Sequence, residues 1–509
     1  MAYTTFSAVL GGIEADLVRV EIDSSPGLHD FSIVGLGDKA VHESIDRIGS
    51  AIKHCGFVPP GAKNRRFVVN LAPADLKKEG SGLDLPIAAA YLAESGQITS
   101  VPANSTLLIG ELGLDGRVAH TRGVLAAALR ARSDGYQEII VPVENAQEAA
   151  YVGGLRVIGA PNLAAAIGHL TGIIPLTPSI AQRATAPAYR DDSWAHIAGQ
   201  LAAKRALVVA AAGSHNILMS GSPGSGKTLL ARALVGLLPP LTPDEALESA
   251  KILSSVGLLQ GPISGLTRPF CAPHHTASPA AIVGGGTTIR AGQATLAHRG
   301  VLFMDEMPEF PRNVLEALRQ PLEDGNVTVS RASGSATLPA RFMLVAAMNP
   351  CPCGNLGDPA IQCVCSPVSV SRYAKRISGP LLDRIDIHVF VSREKVGFGK
   401  RAPDSISSIR DAIAGARTAQ TRRFAGSGLF TNSEISHRNI DRYCSLEPSA
   451  EKLLASIVNQ KGLSLRGYHK IKKIGRTLAD LEACERIAEH HIAEALALRV
   501  SDRIAPSLS

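Results

Sequence analysis

The sequence predicts an α/β protein of several domains, and three observations carry the prediction. The 509-residue chain exceeds the ~250–300 residues at which one hydrophobic core stops growing. Its middle alternates short apolar runs with helical stretches, the pattern of a parallel sheet with crossover helices. Its last block, residues 400–509, places Ala, Leu and Ile at helical spacing with Glu and Arg between them. At 45% hydrophobic and 19% charged, the composition excludes wholesale disorder. No apolar run approaches the ~18–20 residues that span a bilayer, and no basic residue precedes the apolar stretch between Met1 and Leu17. Eight cysteines in so long a chain do not make a disulfide scaffold. A soluble, cytoplasmic protein without a membrane partner is expected.

Taken in order, residues 1–170 read as mixed strand and helix, an α+β block. Pro59-Pro60-Gly61 is a turn, and Leu114-Asp115-Gly116-Arg117 is a hairpin signal. Residues 171–192 hold three prolines and little periodicity, so they read as a linker. Residues 193–399 form the parallel-sheet block, with strand-like runs at 216–220, 301–305 and 342–348. Residues 400–509 form the helical block. Charge divides unevenly among these blocks. Residues 1–170 carry 14 Lys+Arg and 18 Asp+Glu (−4), residues 171–399 carry 20 and 15 (+5), and residues 400–509 carry 18 and 12 (+6). The basic excess lies wholly in the last two thirds, which fits either a polyanionic partner or a solvated basic surface.

The parallel-sheet block contains Gly221-Ser222-Pro223-Gly224-Ser225-Gly226-Lys227-Thr228, a GxxxxGK[ST] phosphate loop. It follows a strand-like run and precedes a helical one at 229–238, as the chemistry requires. Glycines let backbone N–H groups curl round phosphates, and the following helix offers its positive end. Lys227 is expected on the β- and γ-phosphates, and Thr228 on Mg²⁺. About 75 residues later, four apolar residues end in Asp305-Glu306. Asp305 is expected to complete the Mg²⁺ shell and Glu306 to orient and deprotonate the attacking water. The third run ends in Asn349, suited to holding the water or the γ-phosphate. Together these predict hydrolysis of ATP rather than binding alone.

Cys351-x-Cys353 and Cys363-x-Cys365 stand nine residues apart, with Pro, Gly and Asp between. Four thiolates suit tetrahedral Zn²⁺, although C-x-C is tighter than the usual C-x₂-C knuckle. Reduced thiols or a redox pair are the alternatives. Cys55, Cys271, Cys444 and Cys484 are isolated and read as packing residues.

The stretches AAAGSHNILMSGSPGSGKT, RPFCAPHHTAS, GVLFMDEMPEF, AAMNPCPCG, ISGPLLDRIDIHV and LSLRGYHKIKKIGRTLADLE run along most of the chain. They resemble the ComM/YifB family of magnesium-chelatase-like AAA+ ATPases. The resemblance implies a central AAA+ core at 193–399, a C-terminal helical lid at 400–509, and an ATP-dependent homo-hexamer with nucleotide at subunit interfaces. It makes Asn349 a sensor 1 residue, Arg384 an arginine finger offered to the next subunit, and Arg466 a sensor 2 residue. Arg376 competes for the finger role, and an internal ion pair of Arg384 with Asp383 or Asp386 is the alternative. By position, residues 257–290 and a hairpin at 326–339, with Gly334 at its turn and Arg331 on one arm, resemble channel-facing loops; plain surface loops are the alternative.

Residues 1–170 resemble the Lon protease domain, whose serine lies in a K-D-G-P-S-A-G stretch and whose lysine lies in G-G-L-K. Here Gly82 takes the serine's place and Leu125 the lysine's. Ser81 sits one residue away, but Leu125 cannot act as a base, so proteolysis is disfavoured. The family resemblance implies a motor on single-stranded or branched DNA, a helicase promoting branch migration in recombination during natural transformation. Few aromatic residues (12 Phe, 8 Tyr, 1 Trp) point to phosphate contact rather than base stacking. Arg466, His469, Lys470, Lys472, Lys473 and Arg476 form a candidate DNA surface, with a solvated helix face as its alternative. The second function considered is a protein-remodelling subunit of magnesium-chelatase type, but the chain holds no Asp-x-Ser-x-Ser pentad of the partner subunits.

Overall fold

A computed structural model describes residues 3–62, 64–78, 80–99, 105–182, 193–285, 290–331, 334–358, 360–393, 406–461 and 463–499. Part of the expected linker (183–192), the junction at 394–405 and the last residues, 500–509, lie outside the described residues. The chain divides into two compact units: residues 1–187 with 242–266, and residues 188–241 with 267–509.

The first unit is built on a seven-stranded mixed sheet. Its strand order is Asp30–Val34, Arg65–Ala72, Glu14–Pro26, Tyr3–Gly11, Thr106–Leu108, Glu138–Pro142, Arg156–Ala160. Tyr3–Gly11 and Glu14–Pro26 form a hairpin, Glu14–Pro26 pairs antiparallel with Arg65–Ala72, and the remaining neighbours are parallel. Helices Lys39–His54 and Asp84–Glu94 cover the sheet, the second almost wholly buried. The expected hairpin is present as Glu111–Leu112 and Val118–Ala119, closed by Gly113 N–H to the Arg117 carbonyl at 2.9 Å.

Helix Pro243–Val256 belongs to this unit, although the sequence placed it inside the ATPase block. Its start is fully specified. Thr242 Oγ1 accepts from Glu245 N at 3.3 Å, Glu245 Oε2 accepts from Thr242 N at 3.0 Å, and Pro243 fills the first turn. The helix docks through its far end. The Ser254 carbonyl accepts from Gly123 N at 2.9 Å, and Lys251 pairs with Glu14 at 2.6 Å. The run 257–290 is therefore not one insert. Residues to 266 pack in the first unit, whereas Phe270–Cys271 is the edge strand of the other unit's sheet. That edge requires glycine at 300, because a Cβ there would collide with the Pro269 carbonyl.

The second unit holds a parallel five-stranded sheet in the order Phe270–Cys271, Val301–Met304, Met343–Met348, Ile217–Ser220, Ile387–Phe390. The three central strands are buried throughout, which is why they read as unbroken apolar runs. Asn216 ties together the entry ends of three strands, Ile217–Ser220, Met343–Met348 and Ile387–Phe390. Its Oδ1 accepts from Leu344 N at 2.8 Å, its Nδ2 donates to the Arg384 carbonyl at 3.2 Å, and its own carbonyl accepts from Ile387 N at 2.9 Å. The 326–339 hairpin is present as Asn326–Arg331 paired with Gly334–Pro339. Gly334 opens the second arm opposite Arg331 rather than forming the turn, and positions 332–333 lie outside the described residues. Helices Ile406–Arg423, Ile440–Tyr443, Pro448–Lys461, Leu465–Leu481 and Glu489–Ala497 lie in the helical block. Among the described residues, no helix is long and apolar enough to cross a membrane.

Candidate nucleotide-hydrolysis site

Three strand tips converge at the exit end of the parallel sheet, the place where such sheets bind ligands. Strand Ile217–Ser220 delivers the loop at 221–228, and helix Lys227–Val235 starts at its end. The backbone geometry demands glycine at two points. A Cβ on Gly221 would collide with the Val391 carbonyl, and Gly226 caps the helix at φ 92°. Lys227 Nζ folds back into the loop, donating to the carbonyls of Gly221 at 2.7 Å and Ser222 at 3.0 Å. Burial lowers its pKa, while Asp305 and Glu306 act in the opposite sense.

The neighbouring tips bring the other residues in. Thr228 Oγ1 donates to Asp305 Oδ2 at 2.9 Å, so the expected Mg²⁺ ligands already share one spot. Asn349 Oδ1 lies 3.3 Å from Lys227 Nζ. Glu306 follows Asp305 with a left-handed backbone (φ 50°), its N–H on Asp305 Oδ1 at 3.0 Å and its side chain exposed. The cradle has the shape, the cation and the oxygen pair that a nucleoside triphosphate with Mg²⁺ needs.

Arg384 and Arg466 lie elsewhere. The Arg384 carbonyl is level with Asn216, at the entry end of the sheet, five residues before Gly221. At ~3.3 Å per residue that separation is about 16 Å, beyond the ~7 Å reach of an arginine side chain. Its guanidinium pairs with Glu323 rather than with Asp383 or Asp386, and Arg466 Nη2 meets the same carboxylate at 3.0 Å. Arg376 pairs with Glu309 at 2.6 Å. No sequence signal singled out Glu323 or Asn216, although a polar residue directly before an apolar strand was visible in the latter.

The four cysteines come together. Sγ separations are 3.4 Å for Cys351–Cys353 and 3.6 Å for Cys363 to each of them, and Cys365 completes a group whose sulfurs all lie within 4.8 Å of one another. Tetrahedral Zn–S bonds of ~2.3 Å place sulfurs ~3.8 Å apart, so the set fits zinc. Backbone N–H groups of Asn355 and Val364 pull the Cys353 thiol down to about 6, whereas burial pushes Cys351 up to about 12. This loop lies on the phosphate loop: a Cβ on Gly354 would press into the Pro223 ring, and Arg393 Nη2 donates to the Pro223 carbonyl at 3.1 Å. A second cluster, Glu482, Cys484 and His491, is a different case. His491 Nδ1 accepts from Ala488 N at 2.9 Å, so its proton sits on Nε2, facing Glu482 at 3.1 Å. That ring is a helix cap rather than a ready ligand.

The proposed basic DNA face is overturned in most of its members. Lys470 is 14% exposed and pairs with Asp386 at 2.8 Å. Lys472 is 5% exposed and pairs with Asp441 at 2.6 Å, Lys473 donates to the Ser433 carbonyl at 2.9 Å, and Arg476 is buried against Asp480. Most of these charges line the packed side of an amphipathic helix, each paired with an acceptor on another element; of the six, Arg466 is exposed and His469 is half-buried. Burial alone would raise the Asp386 carboxyl, but Lys470 and His215 hold it below the usual range.

In the first unit, Leu125 is fully buried, and the Gly82 carbonyl accepts from Gly110 N at 3.0 Å. Ser81 hydrogen-bonds Glu111, and the buried Lys78 ammonium is held by the Pro73 carbonyl. None of these pairs a serine with a basic amine.

A parallel sheet that gathers a glycine loop, Lys227, Thr228, Asp305 and Asn349 at its exit end defines a P-loop nucleotide-binding protein. Family models agree: residues 193–397 match "Magnesium chelatase, subunit ChlI", residues 20–145 match "Subunit ChlI of Mg-chelatase", and residues 404–499 match the ChlI C-terminal region. Competence protein ComM of Haemophilus influenzae is 40% identical over 99% of this chain and 98% of its own length. YifB of Escherichia coli is 38% identical over 97% of this chain and 96% of its own. The magnesium-chelatase 38 kDa subunit of Rhodobacter capsulatus is 28% identical over 35% of this chain. The chain belongs to the ComM/YifB family of magnesium-chelatase-like AAA+ proteins.

Proposed function

We propose that this protein is a ring-forming ATPase motor, a homo-hexamer that acts on single-stranded or branched DNA as a helicase or branch-migration factor. The observation that carries the ATPase reading is the meeting of Lys227, Thr228, Asp305 and Asn349 at adjacent strand tips. In this reading the loop N–H groups and Lys227 hold the phosphates. Thr228 and Asp305 hold Mg²⁺, which when bound offsets the negative charge of the phosphates. Glu306 takes the proton of the attacking water, and Asn349 keeps that water or the γ-phosphate in line. Arg384, out of reach of its own loop, serves a neighbouring subunit, and so does Arg466 on the helical lid. The cysteine loop holds a structural zinc that braces the phosphate loop through Gly354 and Pro223. The first unit, with a Lon-like outline and neither catalytic group, acts as a recognition or structural module.

The DNA half of the proposal rests on likeness to a competence protein and on the basic balance of residues 171–509. Its test measures ATP turnover of purified protein with no DNA and with single-stranded, forked and four-way DNA. Lys227→Ala should abolish nucleotide binding, while Glu306→Gln should bind ATP and turn it over slowly. DNA should raise wild-type turnover, and its binding should weaken steeply with salt. An assembled, ATP-bound ring that ignores every DNA would favour the protein-remodelling function instead.

A further inference from the structure

We infer that Glu323 is a positioning residue, which holds Arg384 and Arg466 as one cationic unit presented to the nucleotide of a neighbouring subunit. The inference deepens the ATPase reading and rests on it. The two guanidiniums come from distant parts of the sequence, one just after helix Gly379–Leu382 and one in the first turn of helix Leu465–Leu481. They meet different oxygens of a single carboxylate, Arg384 on Oε2 and Arg466 on Oε1. Two guanidiniums brought this close repel each other, and one negative charge between them offsets the repulsion while leaving a net positive pair to offer.

The anchoring is unequal. Arg384 is also tied to the Pro380 carbonyl at 2.7 Å and is only 11% exposed, whereas Arg466 is 55% exposed and is held by Glu323. Removing the carboxylate therefore frees Arg466 first and leaves Arg384 partly held. Glu323 is itself well placed to hold them. It is the next-to-last residue of helix Arg319–Asp324, and the next turn is fixed where the Gly325 carbonyl accepts from Ala340 N at 2.8 Å, closing the base of the 326–339 hairpin. A half-exposed ion pair adds little to stability, so this arrangement matters for where the arginines point rather than for whether the chain folds.

The test compares wild type with Glu323→Gln, which keeps the size and loses the charge, and Glu323→Asp, which keeps the charge on a shorter stem. Melting temperature, nucleotide-dependent assembly, and kcat and KM for ATP are read for each. The expected result is unchanged melting and assembly, KM within about two-fold, and kcat lowered about ten-fold or more in Glu323→Gln and less in Glu323→Asp. In an Arg384→Ala, Arg466→Ala background, Glu323→Gln should lower kcat no further. A Glu323→Gln protein that assembles and keeps wild-type kcat overturns the inference, as does a further independent loss in the double-arginine background. If Glu323→Gln fails to assemble, kcat of assembled Glu323→Asp decides by the same criterion. Wild-type turnover by the arginine variants themselves would sink the ATPase reading of those residues, and that outcome is distinct from failure at Glu323 alone.

Discussion

Mixing Arg384→Ala with Glu306→Gln subunits, each inactive alone, should restore about a quarter of wild-type ATP turnover. The reason is the position of Arg384, about 16 Å from the start of its own phosphate loop by strand rise. On the proposed reading its guanidinium therefore serves a neighbour. An active interface needs an intact Glu306 from one subunit and an intact Arg384 from the next. In an equal, random mixture each condition is met half the time, so about one interface in four carries both. Arg384→Ala alone should lose 10³–10⁵ in turnover, about 4–7 kcal/mol of transition-state stabilisation, by analogy with other trans-acting arginines. The assay is phosphate release at fixed total protein across a series of mixing ratios, with mixed rings verified by native mass spectrometry. Recovery should peak near equal proportions. No recovery in rings shown to be mixed would refute trans action, and so would wild-type turnover by Arg384→Ala alone.

Protein purified without added metal or chelator should carry one zinc per chain by elemental analysis, and Cys351→Ser with Cys353→Ser should lose the zinc and melt lower. Absence of zinc in such protein would return the four residues to ordinary thiols. Acid should destabilise the second unit through His388. Burial, then Arg499 and Lys470, push this imidazole down to about 3. The unfolded chain binds a proton near pH 6.5 and the folded chain does not, so stability is lost as pH falls from about 6.5 to about 3, by up to ~5 kcal/mol. His388→Phe should flatten that part of a pH–stability profile, and an unchanged profile would remove His388 as the cause. Lys470→Met should cost roughly 3–5 kcal/mol in denaturant unfolding, because it strips Asp386 of its cation. A loss below about 1 kcal/mol would show the pair to be dispensable.

The candidate nucleotide site was legible in sequence because its residues are consecutive or sit at the ends of apolar strands. A glycine loop needs its spacing, and a buried parallel strand announces itself as an unbroken apolar run with its polar residue at the tip. The helical block was legible by the same kind of local periodicity. The basic helix at 465–481 misled, since its lysines read as a charged face. Periodicity tells which positions share a side of a helix, but not whether a carboxylate waits opposite. Lys470 and Lys472 are mostly covered and pair with Asp386 and Asp441, partners that lie far away in the sequence.

The sequence by itself determined the parallel sheet of the second unit, the phosphate loop with Lys227 and Thr228, the acidic strand tip and the cysteine quartet, all written in short spacings under local steric rules. Only the tertiary structure decided that helix Pro243–Val256 belongs with the N-terminal unit, that Asn216 ties three strand entries, and that Arg384 and Arg466 share Glu323. Each of those depends on groups that chain folding brings together from distant positions, where the energy lies in pairing a donor or charge with whichever partner the packed backbone presents.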